Sequence, residues 1–229
     1  MAWSERIAVF DLETTGVDPS SSRIVTAFVG LLDGTGELER GTDWLADPGV
    51  EIPERAAAVH GITTEIARAE GRPAAEVVAA VQAAIAWIVR HGVPLVVYNA
   101  PYDLSLLAAE CRRHRLEPPA IGEQVVDPLV IDRAMDRFRR GKRTLGDTAA
   151  VYGVELMDAH TAGDDAVAAG RIALALAQRY PQEVGQAPLA ELHRRQIAWA
   201  REQAEDFEAY MRRQRDPSFT AERGWPLRE

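Results

Sequence analysis

The chain has 229 residues, of which 47% are hydrophobic, and its formal net charge is −9. This is enough apolar material for one domain with a sizeable core, and the single cysteine, Cys111, excludes an intrachain disulfide and argues against a secreted scaffold. No signal-peptide pattern is visible at the start, and Glu76 and Gln82 interrupt the longest apolar stretch, residues 74–89, so we expect a cytoplasmic protein with no membrane contact.

The first third of the chain predicts a meander of three strands followed by helices. Apolar runs cover residues 6–13, 22–33 and 37–46, and the turn-forming segment "DGTGE" separates the last two. Strands joined by short turns pair in opposite directions, so we expect an antiparallel unit. Short helices are predicted within residues 54–69, and a helix of about five turns within residues 73–91.

From residue 94 onward, predicted strands alternate with predicted helices. The strands are expected at 94–100 and 124–127. The helices are expected at 102–114, 128–138, 144–151 and 164–179. Together with the meander this makes five strands, and the alternation indicates an α/β fold in which helices pack on the sheet.

Pro181 marks the predicted boundary between a main domain, residues 1–180, and a C-terminal extension, residues 181–229. Beyond the proline, one narrow apolar seam with alternating spacings of three and four predicts a long helix. The seam consists of Ala190, His193, Ile197, Ala200, Ala204, Phe207 and Met211. The helix could bury this seam on its own domain, against a second copy of the chain, or on another protein. The last residues are predicted to be extended.

Two acidic residues, Asp11 and Glu13, end the first strand. Side chains at positions i and i+2 of a strand point to the same face, so the two carboxylates are neighbours. Such a pair suffers mutual repulsion and loss of hydration, and a divalent cation that prefers oxygen ligands, Mg²⁺ or Mn²⁺, would offset both. The alternative is that both residues cap the turn in "DLETTG", and the motif alone leaves this open.

Asp103 follows a predicted strand and opens a predicted helix. It is therefore either an N-cap of that helix or a functional group, because open α/β sheets place their sites at the carboxyl ends of strands.

The segment "HTAGDDA", residues 160–166, opens the helix at 164–179 with two adjacent acids. One apolar stripe of this helix contains Asp165, Ala169, Ile172 and Leu176. Asp164 lies one step round the helix and is expected to face water or cap the helix. A carboxylate on an apolar stripe requires a partner, and a metal shared with Asp11 and Glu13 would be one. His160 is expected in the preceding loop.

Positive charge concentrates in residues 112–143, which carry 9 Lys+Arg against 5 Asp+Glu, with a peak in "DRAMDRFRRGKR". The run is either a solvated basic loop or a contact for a negatively charged substrate, and the second interpretation requires a site nearby.

Three segments, "DLETTG" at 11–16, "YNAPYDLSLL" at 98–107 and "HTAGDDA" at 160–166, resemble the motifs of the DnaQ-like 3′→5′ exonucleases in their histidine-bearing branch. "VHGIT" at 59–63 resembles the linker between the first two motifs. The resemblance covers residues 6–180 and implies a ribonuclease H-like α/β fold, with a mixed five-stranded sheet flanked by helices and a C-terminal helical extension. The tail does not resemble the polymerase-binding tail of a replicative proofreading subunit.

The resemblance also assigns roles to residues. It implies that two Mg²⁺ (or Mn²⁺) ions are held by Asp11, Glu13, Asp103 and Asp165. His160 would be the general base. The strand end would be held by Leu12, Thr14, Thr15, Gly16, His60, Asn99 and Tyr102, where Tyr102 stands in a position that is often phenylalanine. Arg139 and Arg140, from the basic run, would contact phosphates upstream of the 3′ end.

The activity implied is release of nucleoside 5′-monophosphates from single-stranded or frayed DNA 3′ ends, of the repair or proofreading type. Trimming of RNA 3′ ends by an oligoribonuclease-like enzyme is the alternative, and a non-catalytic nucleic-acid-binding subunit is a third. The C-terminal helix could form a homodimer or bind a polymerase. Because the tail shows no catalytic group, we expect the chain cut after about Arg179 to retain activity on short oligomers.

Overall fold

The antiparallel meander predicted for the first third of the chain forms the centre of the sheet in the computed structural model, which describes residues 2–156 and 161–228. Its strands are β1, Arg6–Thr14, β2, Ile24–Asp33, and β3, Leu38–Asp47. Both pairs are antiparallel, with Val9 opposite Gly30 and Phe28 opposite Asp43. The three predicted strands are therefore confirmed.

Three short strands complete the sheet. They are β4, Arg72–Pro73, β5, Leu95–Val96, and β6, Val125–Val126. The order is β4-β3-β2-β1-β5-β6, and β4, β5 and β6 pair in parallel with their neighbours. The described sheet is mixed, as expected, but it has six strands instead of five. The sequence missed β4 because two residues, one of them a proline, carry no alternating pattern.

Eight α-helices lie within the described residues. They are α1, Glu54–His60, α2, Thr64–Glu70, α3, Ala74–Arg90, α4, Ala100–Arg113, α5, Pro128–Met135, α6, Leu145–Tyr152, α7, Ala162–Arg179, and α8, Leu189–Gln214. The predicted helices are present, although α4 begins two residues earlier than expected and α5 ends three residues earlier. No helix of the described chain is both long and apolar enough to cross a bilayer.

The helices cover both faces of the sheet, and the alternation of β1 assigns its residues to one face or the other. Phe10 is buried in a cluster with α3 and α4, whereas Val9 is buried in a cluster with α7. Because successive side chains of a strand point to opposite faces, Asp11 and Glu13 continue the Val9 side, which faces α7.

Gly170 allows α7 to pack close to the sheet. A Cβ atom at this position would lie 2.5 Å from Leu32 Cδ1 and 2.6 Å from Val9 Cγ1, which is closer than real contacts allow. The absence of a side chain at Gly170 therefore sets the distance between α7 and β1, and with it the distance between the acids that the two elements carry.

The long helix α8 packs along the free edge of β6. His193 Nδ1 accepts a hydrogen bond from the Val125 amide at 3.2 Å. Gln196 accepts from the Asp127 amide at 2.7 Å and donates to the Val125 carbonyl at 3.0 Å. These two side chains thus form hydrogen bonds that a further strand would otherwise form along this edge of β6.

The structure shows α8 packed on its own domain, but the predicted seam is only partly right. Ile197 is 44% and Phe207 50% exposed, whereas Leu192 and Gln196, which lie outside the predicted seam, are fully buried. A second copy and a polymerase stay predictions.

The last described residues return across α8 to the start of α4. The Glu208 carboxylate accepts from the Ala221 amide at 3.0 Å, Trp225 Nε1 donates to Asp127 Oδ2 at 3.1 Å, and Ser105 Oγ accepts from the Arg228 amide at 2.8 Å. Trp225 is buried among the residues of α3 and α4. The segment after Pro181 therefore contributes to the same core as the segment before it.

Candidate active site

Three carboxylates meet between β1 and α7. Asp11, Glu13 and Asp165 each offer one oxygen atom, and these atoms all lie within 4.8 Å of one another. All three residues are partly buried. Leu12, between the two strand acids, points to the opposite face and is 5% exposed. The structure thus brings together Asp11 and Glu13, which share one face of β1, and Asp165, which lies on the apolar stripe of α7 that faces them.

The two adjacent acids of α7 have different surroundings. Thr161 is the N-cap of the helix, and its Oγ1 accepts a hydrogen bond from the Asp164 amide at 3.2 Å. In return, the Asp164 carboxylate accepts from the Thr161 hydroxyl at 2.7 Å. The side chain of Asp164 is therefore bound to the N-cap residue of α7. Asp165, one step round the helix, faces Asp11 and Glu13.

Asp103 lines the same cavity, which has a volume of about 470 Å³, although it lies outside the group of three. It is 4% exposed and belongs to the first turns of α4. The possibility that it caps this helix is wrong, because Asn99 occupies the N-cap position in a left-handed conformation with φ 60° and ψ 48°.

A buried carboxylate outside the cavity's acidic group holds this unusual turn. Asp127, which is 0% exposed, accepts hydrogen bonds from the backbone amides of Asn99 and Ala100, each at 3.0 Å. It also accepts from the Leu129 amide at 3.0 Å and from the Trp225 indole. The position of Asp103 therefore depends on Asp127, a residue that the sequence analysis missed because its partners are distant along the chain.

Burial and mutual repulsion raise the pKa values of Asp11, Glu13 and Asp103. Burial raises the pKa of Asp11 well above its usual value, and the charges of Asp103, Glu13 and Asp165 raise it further. Burial, followed by the charge of Asp165, raises the pKa of Glu13 to about 7. Burial also raises the pKa of Asp103, and the backbone amides of Asp103 and Leu12 oppose this rise. The folded chain therefore holds protons here unless a cation replaces them.

A set of hydroxyls lies beside the acids at the end of β1. The hydroxyls of Thr14 and Tyr102 are 2.5 Å apart, and both contact the Gly16 carbonyl. Thr15 forms backbone and side-chain hydrogen bonds with Arg23, each at 3.0 Å, which close the loop between β1 and β2. Leu12, Asn99 and Tyr102 line the acidic cavity.

His60 occupies a partly buried position at the end of α1. Its Nδ1 accepts a hydrogen bond from the Ile62 amide at 3.2 Å. Burial lowers its pKa, and the neighbouring backbone of Thr14 opposes this. The structure therefore places His60 next to Thr14 at the end of β1.

Arg139 is held in an ion pair of the fold, and its predicted role in binding phosphates stays a prediction. Its guanidinium pairs with Asp132 at 2.6 Å, and the side chain is 13% exposed while that of Asp132 is fully buried. Arg143 pairs with the same carboxylate. A buried carboxylate must be compensated, so part of the basic run serves the fold. Arg140 is exposed and lies outside the lining of the acidic cavity, and its role in binding stays a prediction.

Five residues of the cavity were not assigned to the site by the sequence analysis. They are Tyr98, Leu129, Arg133, Arg143 and Thr144. Arg133 lies four residues after Leu129 on α5, so the two share a helix face, and that spacing was the signal that could have identified it.

Comparison with known proteins extends the resemblance of the three motifs. The exonuclease family model, RNase_T, matches residues 8–173, which is more than half of the chain. The chain belongs to this exonuclease family. It is DnaQ-like, and its fold is that of the ribonuclease H-like superfamily.

The curated relatives of this exonuclease domain are longer proteins. "DNA polymerase III PolC-type" of Streptococcus thermophilus is 28% identical over 165 residues, which cover 72% of this chain and 10% of the relative. "DNA polymerase III subunit epsilon-like protein" of Rhodobacter capsulatus is 34% identical over 130 residues, which cover 53% of this chain and 16% of the relative. The chain thus spans only a small part of each relative's length.

Solved structures of exonuclease I share the fold of the exonuclease domain. One gives a TM-score of 0.66 at 22% identity, with 78% of this chain and 42% of that chain covered. The Escherichia coli enzyme in complex with a dT13 oligonucleotide gives a TM-score of 0.63, with the same coverage and identity.

The donor set of the exonuclease domain fits a divalent cation. Three partly buried carboxylates, of which Asp11 and Glu13 have raised pKa values, supply hard oxygen ligands within 4.8 Å of one another, which suits Mg²⁺ or Mn²⁺. His160, the general base implied by the resemblance, lies outside the described residues, so its position relative to this cluster stays a prediction.

We expect Mg²⁺ or Mn²⁺ to raise the thermal unfolding temperature more at pH 8 than at pH 5.5. Because the pKa of Glu13 is about 7 when folded and 4.5 ordinarily, the folded chain holds this proton more tightly than the unfolded chain. The metal-free protein therefore loses stability as the pH rises through that window, and a bound cation restores it. A difference of about 1 kcal/mol corresponds to roughly 2–4 °C for a chain of this size.

The measurement is differential scanning calorimetry in EDTA and in excess metal at both pH values. Glu13→Gln is the control, because without this titrating carboxyl the pH dependence in EDTA should decrease. Equal metal-induced shifts at both pH values, with no effect of the control variant, would contradict the assignment of Glu13 to the metal site.

Proposed function

We propose that the chain is a metal-dependent 3′→5′ exonuclease that releases nucleoside 5′-monophosphates from single-stranded or frayed DNA ends. The observation that carries the proposal is the convergence of Asp11, Glu13 and Asp165 within 4.8 Å, with Asp103 in the same cavity. The family match and the fold shared with a DNA-bound exonuclease I support it.

The proposed chemistry is hydrolysis with two divalent cations, Mg²⁺ or Mn²⁺. The cations would stabilise the negative charge on the attacking and leaving oxygens of the phosphodiester. Asp11, Glu13 and Asp165 would hold them, with Asp103 contributing from the start of α4. His160 would accept the proton of the attacking water, which is the usual role of a histidine at neutral pH.

The loop that follows β1 would select a strand end. Thr14, Gly16 and Tyr102 form a closed hydrogen-bonded group, and Tyr102 and Asn99 both line the acidic cavity. This group would block the path of the strand beyond the 3′ side of a nucleotide bound against it. A continuous strand could therefore not place an interior phosphodiester bond at the acids. His60 and the backbone of Thr15 would support the same loop.

The test uses single-stranded DNA, RNA of the same sequence and a closed circular DNA strand. We expect mononucleotide release from 3′-labelled linear DNA, inhibition by EDTA and no attack on the circle. Faster trimming of RNA than of DNA would assign the enzyme to RNA 3′ ends. Cleavage of the circle, or activity that survives EDTA, would overturn the proposal. The polymerase names of the curated relatives leave association with a polymerase as a further prediction.

A further inference from the structure

A second cavity, of about 810 Å³, adjoins the acidic cavity. Its walls are α5, the second half of α8 and the segment from Phe219 to Arg228. Its volume is within the range of pockets that enclose a small ligand, ~300–1,000 Å³. Four residues line both cavities, namely Asn99, Leu129, Arg133 and Arg143. The two spaces therefore meet at the face of α5 that carries Leu129 and Arg133.

Arg133 is one of two arginines at this junction, together with Arg143. Arg133 is exposed and forms no ion pair with any residue that the structure describes. Three other arginines of the larger cavity are held in ion pairs: Arg137 pairs with Asp206, Arg143 with Asp132, and Arg223 with Glu208. Arg228, which also lines this cavity, lies over the ring of Tyr102. An exposed arginine without a carboxylate partner can bind a phosphate in bidentate fashion.

Acidic residues also line the larger cavity, and most of them have partners of their own. Asp206 is paired with Arg137, and the Glu222 carboxylate accepts hydrogen bonds from the amides of Arg223 and Gly224. Asp127 is buried beneath four hydrogen bonds. Glu202 remains on the wall, so the larger cavity has mixed charge, with its positive side towards the acidic cavity.

Aromatic rings line the part of the larger cavity formed by α8 and the tail. Phe207 is 50% exposed, and its ring meets that of Phe219 edge to face, with centroids 5.4 Å apart. Exposed rings beside arginines are the surface on which the bases of a single strand stack, because every base presents an aromatic face. Phe219 is half-buried, so Phe207 presents the accessible ring of the pair.

We propose that the larger cavity binds the nucleotides that precede the 3′ end of a single-stranded substrate, with Arg133 on a phosphate at the junction and Phe207–Phe219 against a base. The proposal rests on the proposed function and adds a binding site to it. It gives α8 and the tail, which lie beyond the family match at residues 8–173, a direct part in substrate binding.

The test compares a fluorescent strand of about ten nucleotides, which can reach this cavity, with a dinucleotide, which cannot. Binding of the longer strand is measured by anisotropy in EDTA, and hydrolysis of both is measured with metal. Arg133→Ala and Phe207→Leu should each weaken binding of the longer strand about tenfold. Phe207→Leu should also raise the ratio of the longer strand's KM to the dinucleotide's KM. Phe207→Tyr, which keeps the ring, should bind like the wild type.

Arg90→Ala is the matched control, because Arg90 is an exposed arginine on α3 that lines neither cavity. Equal binding of the longer strand by wild type, Arg133→Ala and Phe207→Leu would overturn this inference, even if the enzyme hydrolyses both substrates. Equal loss in Phe207→Leu and Phe207→Tyr would overturn the stacking role. Absence of hydrolysis by the wild type would overturn the proposed function instead, and the anisotropy experiment would still decide whether the cavity binds a strand.

Discussion

Asp165→Asn is expected to reduce metal-dependent hydrolysis by about 10³-fold or more, which is the scale of losing one group that stabilises charge in a transition state. Asp165 supplies one of three carboxylates that meet between β1 and α7, and an amide in its place removes a negative charge from the proposed metal ligands. Steady-state kinetics over a range of metal concentrations should show that excess metal does not restore the rate.

Asp164→Asn is the matched control, because it makes the same chemical change one residue away. The Asp164 carboxylate accepts a hydrogen bond from Thr161 and faces away from the three carboxylates, so its loss should change kcat/KM by no more than about twofold and affect mainly the stability of the helix start. If Asp164→Asn proves the more damaging of the two, the assignment of faces on α7 is wrong.

His160→Ala is expected to lower kcat by about 10²–10⁴-fold while metal binding persists, as for loss of a general base. The expectation comes from the motif "HTAGDDA", in which His160 precedes the acid that faces the cluster. Kinetics measured beside a metal titration of the unfolding temperature separate the two effects, because only a ligand of the metal should alter the titration.

Added imidazole provides a second readout for this variant. A small base that enters the cavity should restore part of the rate of His160→Ala and should leave Asp165→Asn inactive. Loss of metal binding in His160→Ala would instead make His160 a ligand, and an unchanged kcat would remove it from the mechanism.

The positions of Asp11, Glu13 and Asp165 could be predicted because each depends on the regular repeat of a single strand or helix. Asp11 and Glu13 share a face of β1 by the two-residue repeat of a strand, and Asp165 shares a stripe of α7 by the repeat of a helix. The three antiparallel strands follow from apolar runs and turn residues in the same way. These features depend on neighbours within a few residues, and that is the information that a sequence pattern holds.

Features that depend on distant partners could not be predicted. The basic run was interpreted by its charge alone, but Asp132 is fully buried and draws the guanidinium of Arg139 into an ion pair. Asp127 was treated only as the end of a strand, although it fixes the Asn99 turn that positions Asp103. No local period identifies either carboxylate as buried.

The edge of the sheet has a consequence for any shortened form of the chain. Gln196 and His193 of α8 satisfy the amide and carbonyl groups of β6, and Trp225 covers Asp127 at the end of that strand. A chain ending near Arg179 would leave these groups open, and an unpaired strand edge recruits strands from other molecules. Aggregation would then reduce the activity that the sequence analysis expects such a chain to retain. The segment defined by the family match alone, residues 8–173, therefore lacks the helix that covers the edge of β6.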